Sequence, residues 1–500
     1  MNAIGRVSCV SLLLVIALAL STGFSAAAQG TFRVAMFEAV ALDPAAIEAD
    51  SEIAIVNAVY DYLIDIGPDG TIVPRLATSW TISPDGLAYT FTLASGIRFH
   101  DGSPLLPGDV QWTFDRLRDP ALGFDTTSLY ANIDRIEVSA PLQVTFHLKK
   151  TNPFFLFDLT DNRAVVVKRG TEDFSTFNGT GPYIVDSYRP GERIDFQANP
   201  DYFVIGLPLL EKLEFIFFRD QVSAVDALLG NQVDMVWRIP ISLFESLREE
   251  DGIATIDVPT NAFDLVRFRM DQEPGNDPRV LQALKHATDR EAILQAVQLG
   301  YGGVGNDTPV GPMFTQLHDE TIQPLAFDRD EARRLLADAG YSDGLSLDLY
   351  APNSGSRPLL AQALKAQWAE VGVDVNLNIV PESFYWSEEG WLEVNLGITN
   401  WGSRPYPQFY LTQMFTCDST WNESRFCNEA FDRLVSLAGS TADQDELVAT
   451  YSQIQRILAE EGPVLILYFW PQVAAYREVF AGVELKAFAG RTDFRTVYMP

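Results

Sequence analysis

Helix and strand patterns alternate along the sequence between Asp277 and Trp470, and few fold classes accommodate that order. Capping residues and apolar residues at helical spacing predict helices over 277–286, 289–300, 328–340, 358–371 and 443–460. Short apolar or alternating runs predict strands over 345–350, 373–380 and 464–470. Because helices that alternate with strands pack on the faces of a parallel sheet, this region predicts an α/β protein.

The N-terminal third has a different pattern, in which short strands are joined by tight turns. The turn residues Pro84, Asp85 and Gly86 precede an alternating run over 89–93, which predicts a hairpin. At 500 residues the chain is long enough for two to four packed units. No linker rich in Pro, Gly or Ser divides it, so we expect domains joined by more than one chain crossing, near Pro259–Thr260 and Trp470–Pro471.

Residues 1–28 have the pattern of a cleaved secretory signal. Arg6 is their only charge, 7–20 is an almost unbroken apolar run, and Ala26–Ala28 forms an A-x-A site. The apolar run is too short to span a bilayer. Cys9 lies inside that run, whereas a lipid-attachment cysteine closes it. We therefore expect cleavage after Ala28 and export from the cytoplasm.

Charge and cysteine content restrict the partners further. The formal net charge is −31, and so acidic a surface repels nucleic-acid phosphates. Two cysteines remain in the mature chain, Cys417 and Cys427, and an oxidising compartment predicts a disulfide between them. The bridge either staples a loop or stiffens a loop that is shaped for a ligand.

The sequence contains short matches to catalytic and cofactor-binding motifs, but the elements and spacings around them do not suit those functions. Ser342 lies in a G-x-S-x-G match, but there the predicted helix precedes the serine and the strand follows it, the reverse of a nucleophile elbow. The four histidines have no metal-ligand spacing, and the glycines at 302, 303 and 305 lack the third glycine of a dinucleotide loop. We expect no catalysis, no metal and no cofactor. A secreted serine hydrolase using Ser342 is the alternative from another class.

Eight short motifs follow one another along the mature chain. They lie at 42–44, 57–63, 70–80, 99–104 with 109–110, 179–183, 277–280 with 287–290, 337–341 and 428–432. Together they resemble the family 5 extracellular solute-binding proteins of ABC importers, the periplasmic peptide-binding type. The resemblance covers essentially the whole mature chain.

This resemblance implies an α/β fold of two lobes with mixed sheets, a hinge between them and a ligand enclosed in the cleft. Lobe 1 would hold 29–258 and the C-terminal return 471–500, and lobe 2 would hold 262–470. The protein would be a monomer that captures a peptide or peptide-like solute and delivers it to an inner-membrane permease with its ATPase subunits. The alternative ligand within this class is a non-peptide anion such as an opine, a sugar derivative or a chelated metal.

The resemblance also points to candidate ligand contacts. In peptide-binding members a tryptophan is followed closely by an aspartate that pairs with the peptide ammonium, and here Arg404 stands in place of that aspartate after Trp401. A guanidinium is permanently charged and forms paired hydrogen bonds to a carboxylate or phosphate. Arg404 would therefore bind a negatively charged ligand group, where the aspartate of peptide-binding members binds a positively charged one. Alternatively, Arg404 pairs with a neighbouring acid.

The candidate ligand contacts are Trp401, Ser403, Arg404, Tyr406, Arg163 and Trp421. For Arg163 the alternative is a surface salt bridge, and for Trp421 it is packing within the disulfide loop.

Overall fold

A computed structural model describes residues 28–500 except 69, 388, 489 and 493. The predicted signal segment and Cys9 lie outside these residues, apart from Ala28. Over the part of the chain that the structure covers, no helix is both long enough and apolar enough to cross a bilayer.

The strands of the described chain are β1 Ala28–Met36, β2 Ile64–Ile66, β3 Ile72–Pro74, β4 Ala77–Ile82, β5 Ala88–Leu93, β6 Ile133–Ala140, β7 Gln143–Leu148, β8 Tyr183–Arg189, β9 Arg193–Ala198, β10 Leu210–Phe217, β11 Met235–Trp237, β12 Ile253–Val258, β13 Phe263–Phe268, β14 Gly303–Val304, β15 Leu345–Pro352, β16 Val373–Val380, β17 Leu396–Trp401, β18 Val464–Phe469 and β19 Gln472–Arg477. The helices are α1 Asp50–Val59, α2 Pro107–Leu117, α3 Thr126–Leu129, α4 Phe155–Asp158, α5 Gln221–Leu229, α6 Ile241–Leu247, α7 Pro278–His286, α8 Arg290–Gln298, α9 Arg329–Asp338, α10 Arg357–Ala369, α11 Glu382–Tyr385, α12 Gln408–Met414, α13 Glu429–Ala438 and α14 Gln444–Glu461. Single 3₁₀ turns occur at Pro44–Ala46, Phe174–Thr176 and Phe494–Thr496.

Two large mixed sheets organise the chain. The first has the order β12-β19-β11-β1-β10-β9-β8, and the second has the order β14-β18-β13-β17-β15-β16. A separate antiparallel sheet, β4-β5-β7-β6, and the β2-β3 pair accompany the first large sheet. The predicted α/β class with mixed sheets and two lobes is confirmed.

Two short segments connect the large sheets. The chain leaves the first sheet after Val258 and enters the second at Phe263, and it returns between Phe469 and Gln472. On its return, β19 pairs antiparallel with both β11 and β12. The Thr260 hydroxyl donates a 2.6 Å hydrogen bond to the Trp470 carbonyl, which ties the two connections together.

The local predictions agree with the structure over most elements. β4 and β5 form the predicted antiparallel hairpin. Asp277, Asp289, Asp328 and Asp443 each accept a hydrogen bond from a backbone N–H in the first turn of the following helix. Helices α8 and α9 end two residues before the predicted glycines, because backbone turns begin there: Leu299 has a φ of 53°, and Gly340 follows with a φ of 97°.

The expectation of a parallel sheet in the second half is only partly correct. β15 pairs in parallel with β16 and β17, whereas β13 runs antiparallel to β17 and β18. The antiparallel pairs arise where the connections are not β-helix-β units. The chain reaches β17 through the loop after α11, and it reaches β18 directly from α14.

Separate apolar cores underlie the two sheets. The first lies between α1, α2, the four-stranded sheet and β1, β9 and β10. In the second lobe, one core joins α7–α10 to one face of the sheet and another joins α12–α14 to the opposite face. Phe154, from the loop before α4 of the first lobe, belongs to this last core and is 4% exposed.

The glycine motif at 179–183 has a packing role. A Cβ atom on Gly179 would lie 1.9 Å from the Val59 carbonyl oxygen, and one on Gly181 would lie 2.5 Å from the Val59 carbonyl carbon. Because no side chain fits there, these glycines allow the loop to contact the end of α1.

Candidate ligand-binding site

The segment that follows β17 lies beside the first connection between the sheets. The Asn261 N–H donates a 3.2 Å hydrogen bond to the Ser403 hydroxyl. The Tyr410 hydroxyl lies 2.6 Å from the Gly402 carbonyl oxygen and 3.3 Å from the Asn261 carbonyl oxygen. β17 thus presents Trp401 and the residues after it at the junction of the lobes.

Arg404 forms no ion pair with a carboxylate of the residues that the structure describes. Its guanidinium carbon lies 4.5 Å from the centre of the Phe409 ring, a cation–π contact. Its Nε atom is buried and has no hydrogen-bond partner among the described residues. Arg404 therefore stacks on an aromatic ring where the alternative interpretation expected a neighbouring acid, and one of its donors is free.

A buried acceptor lies on the adjoining connection. Asn261 is 2% exposed, and its side-chain oxygen lacks a hydrogen-bond partner within the described part of the chain. A buried polar atom without a partner is costly unless something else satisfies it. The junction therefore holds both an unpaired donor and an unpaired acceptor.

Tyr406 contacts the first lobe. Its ring stacks on Phe154, with centroids 5.1 Å apart and planes 12° apart, and it lies 5.9 Å from the Phe157 ring. Its hydroxyl donates a hydrogen bond to Asp158 on α4. The structure thus places Tyr406 between the lobes.

Arg163 has partners in the first lobe. Its Nε donates a 3.0 Å hydrogen bond to the Ile47 carbonyl, and its guanidinium lies 3.6 Å from the Asp125 carboxylate. These contacts match the alternative interpretation of a salt bridge.

The disulfide loop packs against β17. Cys417 and Cys427 are bridged as predicted. Trp421, inside the loop, is 43% exposed, and its ring lies 5.9 Å from that of Trp401, which is 8% exposed. The two tryptophans form an aromatic corner next to Arg404, with Trp421 open to solvent.

Glu423, which lies inside the disulfide loop, connects this loop to β17 by hydrogen bonds. Its carboxylate accepts hydrogen bonds from the Thr399 hydroxyl at 2.6 Å and from the Trp401 indole N–H at 3.5 Å. Burial raises the pKa of Glu423, and the buried Arg267 guanidinium at 3.4 Å opposes that rise. A buried carboxylate with these partners holds Trp401 in one orientation.

Sequence reasoning did not identify Asn261, Asp158 or Glu423. Each is one polar residue among many, and only the fold brings it to the junction. The one available signal was position, because Asn261 lies next to the predicted crossing and Glu423 lies within the predicted disulfide loop.

The alternative catalytic site lacks the required geometry. Ser342 is exposed in the turn between α9 and β15, so the helix precedes it and the strand follows. Among the described residues, no group of three or more His, Cys, Asp or Glu could hold a metal ion.

Two lobes joined by two short connections, with aromatic rings and Arg404 at their junction, define a two-lobe protein whose candidate ligand site lies between the lobes. Residues 71–423 match the family model described as bacterial extracellular solute-binding proteins, family 5 middle, and the chain belongs to this family.

Individual relatives extend over most of the chain. Di/tripeptide-binding protein 2 of Pseudomonas aeruginosa is 28% identical over 490 residues, covering 89% of this chain and 90% of the relative. The substrate-binding protein CtaP of a Listeria monocytogenes ABC transporter has a TM-score of 0.84 at 22% identity and covers 94% of this chain and 99% of its own. The dipeptide-binding protein of Pseudoalteromonas sp. SM9913, solved with Met-Leu, has a TM-score of 0.77 at 24% identity, covering 94% of this chain and 100% of its own.

Proposed function

We propose that this chain is the periplasmic solute-capture subunit of an ABC importer and that its ligand is a small peptide or peptide-like solute. Two relatives that align over 89% of this chain are named di/tripeptide-binding protein 2 and dipeptide-binding protein, which supports this ligand class. The protein would work as a monomer that encloses one ligand and presents the closed form to its permease and ATPase subunits. It would have no catalytic activity of its own.

The cleft would lie between lobe 1, residues 29–258 with 471–500, and lobe 2, residues 262–470. The hinge would be at Pro259 and Pro471. The two short connections between the large sheets support this division, since few backbone torsions separate the lobes there. The Thr260–Trp470 hydrogen bond would make the two connections bend together.

The single observation that carries the choice of ligand is the buried Nε donor of Arg404, which has no hydrogen-bond partner among the described residues. Its free Nε donor, beside the Phe409 ring, fits a carboxylate, and the neighbouring Asn261 oxygen fits an N–H group. Peptides carry both groups. The ligand carboxylate would thus meet lobe 2 at the position from which the family's aspartate attracts an ammonium.

Arg404 also favours a second candidate, a non-peptide anion such as an opine, a sugar derivative or a chelated metal, in the same transport role. Such a ligand needs the guanidinium but has no backbone amide for Asn261.

Mass spectrometry of small molecules that co-purify with the protein tests the proposal and separates the two ligand classes. The released ligand is expected to be a short peptide, and its addition to stripped protein should raise the melting temperature without turnover. A released opine, sugar derivative or metal chelate would establish the second class. Hydrolysis of added peptides, together with labelling of Ser342 by a serine-directed probe, would contradict the transport role.

A further inference from the structure

One side-chain contact joins the two lobes through a buried acid. Asp158, at the end of α4, is 4% exposed and accepts hydrogen bonds from Tyr406 of the opposite lobe and from the Asn152 side-chain amide at 2.7 Å. Phe154 and Phe157 flank the Tyr406 ring. Phe154 also lies 6.2 Å from the Tyr451 ring on α14. The Tyr406 ring of one lobe thus contacts two phenylalanine rings of the other lobe, and its hydroxyl group binds the buried Asp158 carboxyl group.

Within the described part of the chain, no cation forms an ion pair with Asp158. Arg491 reaches the Thr160 carbonyl at 3.0 Å, but its carboxylate partner is Asp65. The titratable groups around it are Asp161 after α4, Tyr89 on β5, Tyr130 after α3, and Tyr406. The nearby Arg163 is engaged by Ile47 and Asp125. Several other buried acids of the described chain have a cation partner, as Asp65 has Arg491 and Asp307 has Arg290. Among the same residues, Glu52 and Asp109 are buried without a cation, but each accepts hydrogen bonds from backbone N–H groups. A buried carboxylate without a cation favours its protonated form.

We propose that Asp158 and Tyr406 form a proton-linked latch, so that closure of the lobes takes up one proton from solvent onto the Asp158 carboxyl group. When the lobes separate, Tyr406 leaves, water reaches the carboxyl group and the proton is released. The latch depends on lobe closure and not on the identity of the ligand. It therefore stands apart from the proposed function.

The direction of the pH effect follows from the two environments. Burial raises the pKa of Asp158 to about 7 in the closed form, although the hydrogen bonds from Tyr406 and Asn152 act against the rise. An aspartate open to water has a pKa of about 3.9. Between these values the closed form is protonated and the open form is ionised. The closing equilibrium therefore weakens by up to tenfold for each pH unit, or about 20-fold from pH 5.5 to 7.5.

Small-angle X-ray scattering of the ligand-free protein at pH 5.5 and 7.5 tests the latch. We expect a smaller radius of gyration at pH 5.5 in the wild type. Asp158→Asn should remain compact at both pH values, because an asparagine amide replaces the protonated acid with nearly the same shape. Asp134→Asn, the same change at an exposed acid of the first lobe, should respond to pH as the wild type does.

Tyr406→Phe provides a second variant that keeps the stacked ring and removes only the hydroxyl. It should give a larger radius than the wild type at pH 5.5. The latch is wrong if the wild-type radius is the same at both pH values, if Asp158→Asn keeps the wild-type pH response, or if Tyr406→Phe is as compact as the wild type at pH 5.5. If the radius responds to pH as expected but no peptide binds, the proposed ligand fails while the latch stands.

Discussion

Glu423 accepts a 2.6 Å hydrogen bond from Thr399, and this bond joins the loop closed by Cys417 and Cys427 to the strand that carries the candidate ligand site. The loop is thereby part of the site's support. The disulfide restricts this short loop in the unfolded chain. In the folded chain it also helps to hold Glu423 in place, and Glu423 accepts a hydrogen bond from the Trp401 indole.

We predict that loss of the disulfide lowers the stability of the fold. Cys417→Ser with Cys427→Ser should reduce the free energy of unfolding by about 2–3 kcal/mol, because the unfolded chain gains loop entropy. Urea denaturation of the wild type and the double variant measures this loss.

Thiol titration of the denatured, unreduced mature protein should find no free thiol, and two free thiols would contradict the bridge.

Replacement of Arg404 should separate an anion-binding role from a stacking role. If the guanidinium meets a ligand anion, Arg404→Ala should cost about 2–5 kcal/mol, or roughly 30- to several-thousand-fold in affinity, because a buried charge loses its partner. Arg404→Lys should recover only part of that loss, since an ammonium lacks the two-pronged geometry.

Calorimetric titration with the co-purified ligand measures the Arg404 effect. Arg433→Ala is the matched control, because Arg433 is an exposed arginine of the same lobe and should change affinity little. A loss below threefold in Arg404→Ala would remove the anion-anchor role.

Asp65 should anchor the C-terminal return to the first lobe. Burial alone would raise its pKa, but Arg491 at the carboxylate and Lys486 at 3.2 Å hold the pKa far below its usual range. Because the folded-state pKa is depressed, the stabilisation is present above about pH 4 and is lost as the pH falls further.

Asp65→Ala leaves the buried Arg491 without its carboxylate and should cost about 3–5 kcal/mol in the free energy of unfolding at pH 7. Asp251→Ala, at an exposed turn, should cost less than about 0.5 kcal/mol. Equal urea midpoints for the two variants would show that Asp65 does not hold the return.

Export should remove the first 28 residues. N-terminal sequencing of protein from the periplasm is expected to begin at Gln29, because the A-x-A site ends at Ala28. A mature chain that begins near Cys9 and carries lipid would contradict the signal-peptide prediction.

Lobe closure should be visible in solution at fixed pH. Saturating ligand should decrease the radius of gyration, because the proposed hinge at Pro259 and Pro471 would bring the lobes together. An unchanged radius despite tight binding, in a preparation shown to be open without ligand, would argue against a two-lobe trap.

The sequence predicted those features that local chemistry determines. Asp277 and Asp289 cap helices because a carboxylate satisfies the first backbone N–H groups whatever surrounds it, and Pro84 to Gly86 form a turn for similarly local reasons. Pairing partners were harder to predict, because the direction of β13 relative to β17 depends on connections more than 100 residues long.

The site was predicted in part for the same reason. Arg404 and Trp401 belong to one recognisable segment, but their neighbours come from distant positions. Tyr406 meets Asp158 across a separation of 248 residues, and Trp401 meets Glu423 through the disulfide loop. No local sequence pattern marks such pairs, because the role of each polar side chain depends on which residues surround it in the folded chain.

The position of β19 has a consequence for the order of assembly. β12 occupies the edge of its sheet and, among the described strands, pairs only with β19, whose residues 472–477 lie more than 200 residues further along the chain. Until they emerge, β12 has no neighbour and β11 lacks one of its two. Contacts at such long range form slowly. The first lobe therefore cannot complete its sheet until the chain has passed through the second sheet and returned, so β12 should be among the last strands of the first sheet to gain its partner.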